Sequence, residues 1–191
     1  MNRRLVTVPA LVLLAGTLVG CAGAGATQNG PGGGEARYVA GNGVSEIVKD
    51  RKPAPAVQGT TLDGKTLRLA DFAGKITVVN FWASWCAPCR AEAPTMQKIY
   101  DETKASGVQF VGVDIKDGKG NAQAFVRTFK VTYPSLYDQA GQVALTFRDI
   151  PPNAVPSTLV IDRKGNIAAR AIGSVSYSPL KDIVTRLAAE K

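Results

Sequence analysis

The sequence predicts an α/β fold in which helices cover both faces of a central mixed sheet. Three observations indicate it: apolar runs alternate with segments of helical periodicity, a hairpin pattern precedes them, and an amphipathic helix closes the chain. Residues 53–191 carry this pattern and are numerous enough to enclose one hydrophobic core.

The first predicted element is a β-hairpin that extends the fold on its N-terminal side. Two extended runs, residues 57–61 and 65–69, flank Leu62-Asp63-Gly64, and Asp-Gly between such runs favours a tight turn. A short helical turn is expected over residues 70–73, where Gly74 ends it.

The remaining elements follow from apolar runs and from helical periodicity. Predicted strands cover residues 76–81, 108–115, 157–162 and 167–172, and predicted helices cover residues 86–104, 121–130, 142–148 and 180–188. Pro94 is expected to kink the first of these helices. The order is therefore a hairpin, then βαβα, then ββα, which is typical of a sheet with helices on both sides.

The N-terminal segment is interpreted as an export signal. Residues 5–19 are mostly apolar and follow Asn2-Arg3-Arg4, a length typical of a signal peptide and too short to span a bilayer. Leu18-Val19-Gly20-Cys21 resembles a bacterial lipoprotein signal, which is cut before a cysteine that receives lipid. A plain secretory signal or an uncleaved anchor is the alternative.

Three segments are therefore expected along the chain. Residues 1–20 form a lipoprotein signal peptide, and Cys21 is the lipidation site. Residues 21–52 form a flexible Gly-rich tether, within which residues 44–50 would make one helical turn. Residues 53–191 form the folded domain, lipid-anchored on the extracytoplasmic face of the bacterial cell membrane.

Composition excludes several kinds of site. The 191 residues contain three cysteines and no histidine, so Ser–His–Asp catalysis and His-containing zinc sites are excluded. The net charge of +8 is not gathered into basic clusters with interleaved aromatics, so nucleic-acid binding is not expected. No metal site or phosphate-binding loop is indicated, and no cofactor is expected beyond a redox-active disulfide.

The segment Trp85-Cys86-Ala87-Pro88-Cys89 carries the clearest chemistry. It follows a predicted buried strand and opens a helix, the context in which a Cys-x-x-Cys pair indicates thioredoxin-like redox chemistry. The spacing lets the two sulfurs form a disulfide, and the N–H groups at a helix start favour a thiolate at Cys86. Cys89 is expected to be more buried and to resolve a mixed disulfide. Half a zinc site or a structural disulfide is the alternative.

Glu92 lies one turn beyond Cys89 on the face of the helix that is expected to be buried. A 3.6-residue wheel places both on one stripe with Ala93, Met96, Ile99, Tyr100 and Thr103. Burial there would raise the pKa of the carboxyl group and let it exchange a proton with Cys89. The alternative is a glutamate that reaches solvent near the helix start.

These residues resemble the TlpA/ResA-like family of thioredoxin-fold proteins, which are membrane-tethered extracytoplasmic thiol–disulfide oxidoreductases. The pattern W-C-x-P-C-x-x-E-x-P over residues 85–94 carries the resemblance, which covers residues 53–191. It implies a thioredoxin-like fold with an N-terminal hairpin. It also implies that Cys86 is an exposed nucleophile, that Cys89 is the resolving thiol and that Glu92 tunes the pair.

The same resemblance implies a site for a substrate chain. Pro156 matches the family's cis proline that faces the disulfide, and its neighbouring backbone would bind substrate as an added strand. Trp85, Pro88, Val155 and Pro156 are the predicted substrate-binding residues. Asn80 stands where thioredoxin has a buried aspartate, which makes Glu92 the expected proton carrier.

The predicted function is thiol–disulfide exchange with exported proteins. The chain would act as a reductase, for example of apocytochrome c in cytochrome c maturation, or as an oxidase of exported proteins. A membrane partner would recycle the pair, and the protein is expected to be a monomer. A peroxiredoxin-like peroxidase and a non-catalytic peptide-binding module are the alternatives.

Overall fold

The computed structural model describes residues 42–151 and 154–190 of the chain. The strands are β1 (Asn42–Pro53), β2 (Gln58–Thr60), β3 (Thr66–Arg68), β4 (Ile76–Trp82), β5 (Val108–Ile115), β6 (Ser135–Asp138), β7 (Ser157–Ile161) and β8 (Asn166–Gly173). The helices are α1 (Ala87–Thr103), α2 (Lys119–Thr128), α3 (Gln142–Thr146) and α4 (Tyr177–Ala189), with 3₁₀ turns at Leu69–Phe72 and Lys104–Ser106.

Six of these strands form one mixed sheet in the order β1-β8-β7-β4-β5-β6. Strands β4, β5 and β6 run parallel, whereas β7, β8 and β1 pair antiparallel with their neighbours. One end of the sheet therefore carries the carboxyl ends of β4, β5 and β6 and the amino end of β7. We call this end the upper rim, and it is marked by Trp82, Ile115, Asp138 and Ser157.

Helical segments cover both faces of the sheet, as predicted. Successive side chains of a strand point to opposite faces. Trp82 of β4 stacks on Phe125 of α2, with ring centroids 4.2 Å apart. Its neighbour Phe81 points to the other face and packs edge-on against Phe147, which follows α3, at 5.2 Å. The core is thus built on both sides of β4, and the predicted thioredoxin-like α/β architecture is confirmed.

The predicted N-terminal hairpin is present as the separate two-stranded pair β2–β3. Gly64 has a φ of 86°, a left-handed conformation that glycine adopts at little cost in a tight turn. The hairpin leans against β6, since Leu62 donates its N–H to the carbonyl of Ser135 at 2.9 Å.

The segment before residue 53 differs from its prediction. Residues 42–53 form the edge strand β1 rather than a tether, and no helical turn occurs at residues 44–50. The strand is stabilised by long-range contacts: Arg51 at its end donates to Asp162 at 3.1 Å and to Glu190 at 2.6 Å. Such pairing depends on partners more than 100 positions away, so local composition did not indicate it.

Strand β6 was missed for a related reason. Its four residues follow a Thr-Tyr-Pro sequence that resembles a loop, and the strand exists because it pairs with the end of β5. The predicted signal peptide, Cys21 and the tether up to residue 41 lie outside the described residues. Along residues 42–151 and 154–190, no helix is both long and apolar enough to cross a membrane.

Candidate active site

Strand β4 delivers the two cysteines to the upper rim. The strand ends at Trp82, and Cys86 then takes the N-cap position of α1, with Pro88 in the first turn of the helix. Cys86 and Cys89 form a disulfide with a Cα–Cα distance of 5.2 Å. The N–H of Cys89 also donates to the sulfur of Cys86 at 3.1 Å. The helix start therefore presents a backbone donor to the sulfur that would carry negative charge after reduction.

Both cysteines are buried in this oxidised state. The exposed fraction is 0% for Cys86 and 1% for Cys89. The expectation that Cys86 is exposed is therefore wrong for the disulfide form, because its sulfur is bonded to Cys89 and turned into the first turn of α1. Trp85 and Pro88 on either side are only half-buried.

Glu92 lies on the buried face of α1, as predicted. The buried residues of this helix are Cys89, Glu92, Ala93, Met96, Ile99 and Thr103. The Glu92 carboxylate is 3% exposed and accepts one hydrogen bond on each oxygen. Asn80 of β4 donates to Oε1 at 2.9 Å, and the Val175 N–H donates to Oε2 at 2.9 Å. Asn80 also donates to Thr158 of β7 at 3.2 Å.

Burial decides the ionisation of Glu92. Desolvation raises its pKa from 4.5 to about 7, although the hydrogen bonds from Val175 and Asn80 favour the charged form and lower it. A carboxyl group with a pKa near neutrality can both hold and release a proton under ordinary conditions. The group lies three residues beyond Cys89 on the same buried stripe.

Val155 and Pro156 lie at the same rim as the disulfide. The peptide bond between them is cis, and both residues are buried. Ser157 pairs with Phe81, so Pro156 sits beside the end of β4, from which the chain enters the cysteine segment. The sheet register therefore brings the predicted substrate-binding positions Val155 and Pro156 to the strand end that carries Trp85 and Pro88.

The loop between β4 and α1 is held by residues that sequence reasoning missed. Asp117, which follows β5, accepts the N–H of Ser84 at 2.6 Å. The indole N–H of Trp85 donates to the carbonyl of Lys116 at 3.1 Å, and Arg90 donates to the carbonyl of Ser84 at 2.7 Å. Lys116 has a φ of 50°, uncommon for a residue other than glycine. The one sequence signal that could have indicated this contact is an aspartate, Asp117, just after the apolar run of β5.

Asp114 is a second buried carboxyl near the rim. It is 0% exposed, pairs in register with Trp82 on β4, and its oxygens accept no hydrogen bond from a donor among the described residues. Burial is the main cause that raises its pKa to about 8. The charge of Asp117, a hydrogen bond between the two carboxyl groups when Asp114 is protonated, and the charge of Asp138 act in the same direction. Within residues 42–151 and 154–190, no three His, Cys, Asp or Glu side chains are arranged to hold a metal ion.

Replacing Asp114 should stabilise the protein in a pH-dependent way. Suppose that folding raises the pKa of an acid. Its ionisation then destabilises the folded protein more and more as the pH rises from the pKa in the unfolded state to the pKa in the folded state. Asp114→Asn should therefore raise the free energy of unfolding by about 1–4 kcal/mol at pH 7. The gain should grow from about pH 4 to pH 8 and vanish below pH 4, as measured by urea unfolding across that range.

Asp101→Asn is the matched control for this measurement. Asp101 lies on the exposed face of α1, where hydrogen bonds from Lys104 and Gln97 lower the pKa of its carboxyl. Its replacement should not stabilise the protein at any pH. A pH-independent effect of Asp114→Asn would contradict the assignment of a buried, neutral Asp114.

The fold and the sequence have known relatives. The AhpC/TSA family model matches residues 51–170. Thiol-disulfide oxidoreductase ResA of Bacillus thuringiensis subsp. konkukian is 30% identical over 142 residues, which are 74% of this chain and 80% of the relative. ResA of Bacillus subtilis is 31% identical and covers 72% of this chain and 75% of its own length.

Solved structures give the same result. A secreted thiol-disulfide isomerase from Corynebacterium glutamicum is similar with a TM-score of 0.73 and 30% identity, over 76% of this chain and 92% of that one. A DsbF homologue from Corynebacterium diphtheriae has a TM-score of 0.71 and 30% identity, over 78% and 96%. The TlpA/ResA-like resemblance is thereby confirmed. The chain belongs to the AhpC/TSA family and is a ResA-like thiol–disulfide oxidoreductase of the thioredoxin fold.

Proposed function

We propose that this oxidoreductase exchanges electrons with thiols and disulfides of exported proteins through Cys86 and Cys89. The observation that carries the proposal is the Cys86–Cys89 disulfide at the start of α1, with the buried carboxyl of Glu92 one turn further on. The names of its relatives, a thiol-disulfide oxidoreductase and a secreted thiol-disulfide isomerase, support both the chemistry and a place outside the cytoplasm.

The exchange takes place in two steps. The Cys86 thiolate attacks one sulfur of a substrate disulfide, a mixed disulfide forms, and the other substrate sulfur leaves as a thiolate. Cys89 then loses its proton and attacks the sulfur of Cys86, which closes the Cys86–Cys89 disulfide and releases the second substrate thiolate. Two electrons pass from the protein to the substrate. The reverse sequence oxidises a substrate dithiol, so the same residues serve a reductase and an oxidase.

Glu92 acts in the second step of this scheme. In its ionised form it takes the proton from Cys89, and in its protonated form it returns that proton in the reverse reaction. A buried position supports this role because water is excluded, and a pKa of about 7 supports it because both forms are then populated.

The substrate chain binds beside the disulfide in this proposal. Trp85 and Pro88 flank the cysteines, and Val155 and Pro156 lie at the neighbouring strand start. An extended substrate segment would pair with the backbone at Val155, as in other cases where a peptide adds a strand to a sheet. Exported proteins, with apocytochrome c as one example, are the proposed substrates.

We also propose that lipid on Cys21 tethers the protein to the extracytoplasmic face of the cell membrane. The Leu-Val-Gly-Cys sequence that ends at Cys21 supports this proposal. A tethered protein would meet both newly exported chains and a membrane-embedded thiol–disulfide partner that recycles the Cys86–Cys89 pair.

Single-cysteine variants test the proposed exchange. Cys89→Ser should accumulate a mixed disulfide with a cystine-containing peptide, because Cys86 can attack but nothing resolves the product. Cys86→Ser is the matched control and should neither trap the peptide nor support turnover. Mass spectrometry of the intact adduct measures the outcome, and trapping by Cys86→Ser alone would contradict the assigned order.

A peroxide assay separates the alternative function. The match to the AhpC/TSA family makes a thiol peroxidase the alternative function, in which peroxide itself would oxidise Cys86. We expect the reduced wild-type protein to react at least about 100-fold faster with a peptide disulfide than with hydrogen peroxide at equal concentrations. Cleavage of peroxide at Cys86 would need a positioned proton donor there, and Glu92 lies one turn beyond Cys89 instead. The opposite preference would replace this proposal with a peroxidase.

Removing the Glu92 carboxyl should slow the resolving step. Glu92→Gln keeps the shape of the side chain and loses the titrating group, so attack by Cys89 should fall by about 10²-fold. The wild-type rate should also change with an inflection near pH 7 that the variant lacks, as followed by stopped-flow release of peptide thiol. Glu102→Gln on the exposed part of α1 is the control, and an unchanged profile in Glu92→Gln would exclude proton transfer by Glu92.

Lipidation is tested by fractionation. In the native bacterial host the wild-type protein should sediment with membranes and carry lipid on Cys21, whereas Cys21→Ser should lose the lipid. Mass spectrometry of the processed N-terminus gives the result. An unmodified Cys21 in membrane-bound protein would contradict the lipid anchor and leave the redox proposal untouched.

A further inference from the structure

The charged side chains at the upper rim are sorted by sign. Among the residues that the structure describes, four cations there are exposed, and we call them the basic collar: Arg90, Lys116, Lys119 and Arg148. They come from three different parts of the chain: the first turn of α1, the end of β5 with the start of α2, and the segment after α3. The collar is therefore a product of the fold rather than a run in the sequence.

Two members of the basic collar are tied directly to the cysteine loop. The guanidinium of Arg90 donates to the carbonyl of Ser84, two residues before Cys86, at 2.7 Å. The carbonyl of Lys116 accepts the indole N–H of Trp85 at 3.1 Å, and its side chain runs past Gly141 at the start of α3. The Arg90 charge is therefore held at the cysteine loop, whereas Lys116 adjoins the loop through its backbone and carries its exposed charge towards the start of α3.

The other two members extend the collar around the rim. Lys119 is the first residue of α2 and follows Asp117, which holds the cysteine loop. Arg148 directly follows Phe147, whose ring packs against Phe81 near the end of β4. The cations thus lie on both faces of the sheet beside β4, the strand that leads to the cysteines.

The carboxylates of the same rim are turned inward. Asp117 accepts the N–H groups of Ser84 and Gly118, and Asp138 accepts that of Ala144 at 2.9 Å. Both are buried, as are Asp114 and Glu92, while Asp149 is half-buried. Solvent around the disulfide therefore faces mainly positive charge.

We propose that the preferred substrate of this oxidoreductase is a polypeptide whose reactive cysteine lies in an acidic segment. The inference rests on the proposed function and adds the charge of the substrate to it. A collar of one sign steers oppositely charged partners to the site and slows the approach of like-charged ones. Such steering acts over about one Debye length, roughly 10 Å at 0.1 M salt.

Peptides of matched length and different charge test this proposal. Each peptide carries one cysteine blocked by a neutral thiopyridine group, with flanking residues that are all Glu, all Ser or all Lys. The Cys86 thiolate forms a bond to the peptide sulfur, the peptide–thiopyridine bond breaks, and the released thiopyridine gives the rate by absorbance. Full-length reduced protein in a neutral detergent is used.

The expected order of rates is Glu, then Ser, then Lys. At about 20 mM salt the Glu peptide should react at least about tenfold faster than the Lys peptide, the lower bound for electrostatic steering. At 1 M salt, where the Debye length is about 3 Å, the rates should converge. Equal rates for the three peptides at low salt would overturn the proposal.

A charge-matched pair of fourfold variants assigns the effect to the basic collar. The test variant changes Arg90, Lys116, Lys119 and Arg148 to Gln. The control variant changes four exposed cations at the end of the sheet opposite the upper rim to Gln: Lys75, Arg127, Lys164 and Arg186. The ratio of the Glu-peptide rate to the Ser-peptide rate should fall to about 1 in the first variant and persist in the second.

This ratio cancels any change in the reactivity of Cys86 itself, because both peptides react with the same thiolate. If the rate ratio falls to about 1 in both variants, selectivity depends on the net charge of the protein, and the proposed role of the collar is refuted. The collar could instead be needed for binding to vesicles rich in anionic lipid while the peptides show no selectivity. That result would make the membrane, not a substrate, the partner of the collar. No reaction with any peptide would refute the proposed function, whereas equal reaction with all of them refutes only this inference.

Discussion

The carboxyl group of Glu92, placed where water does not reach it, is the constraint on which the site depends. It accepts hydrogen bonds from Asn80 on β4 and from the Val175 N–H after β8, and Asn80 also reaches Thr158 on β7. These contacts fix the first turns of α1 relative to the middle of the sheet. Desolvation outweighs the two hydrogen bonds, so the pKa of Glu92, one helical turn beyond Cys89, is raised to about 7.

A second set of contacts holds the cysteine loop from the other side. Asp117 and the carbonyl of Lys116 bind the loop that leads from β4 to Cys86, and this role draws the Asp117 carboxylate into the protein. The carboxyl groups of Asp114, Asp117 and Asp138 therefore lie close together beneath the rim, and no donor among the described residues reaches the oxygens of Asp114. The same arrangement leaves cations as the exposed charges around the disulfide. The proposed preference for acidic substrates rests on this feature.

Three elements could be predicted because the sequence of each one contains the pattern typical of its structure. The apolar run of β4, the Asp-Gly turn of the hairpin and the helical stripe of α1 are local, and the structure contains all three. Strands β1 and β6 depend on pairing with distant partners, so their polar or short sequences gave no signal. Glu92 was found from its helical spacing, whereas the amide of Val175, 83 residues away, is brought to it only by the fold.

Direct titration of Glu92 tests the central claim. Infrared spectra of the oxidised protein, recorded from pH 4 to pH 10, should show a carboxyl band that disappears with a midpoint near pH 7 and is absent in Glu92→Gln. A band assigned to Glu92 that titrates at 4.5 or below would contradict the account, because the carboxyl would then be ionised throughout and could not return a proton to Cys89.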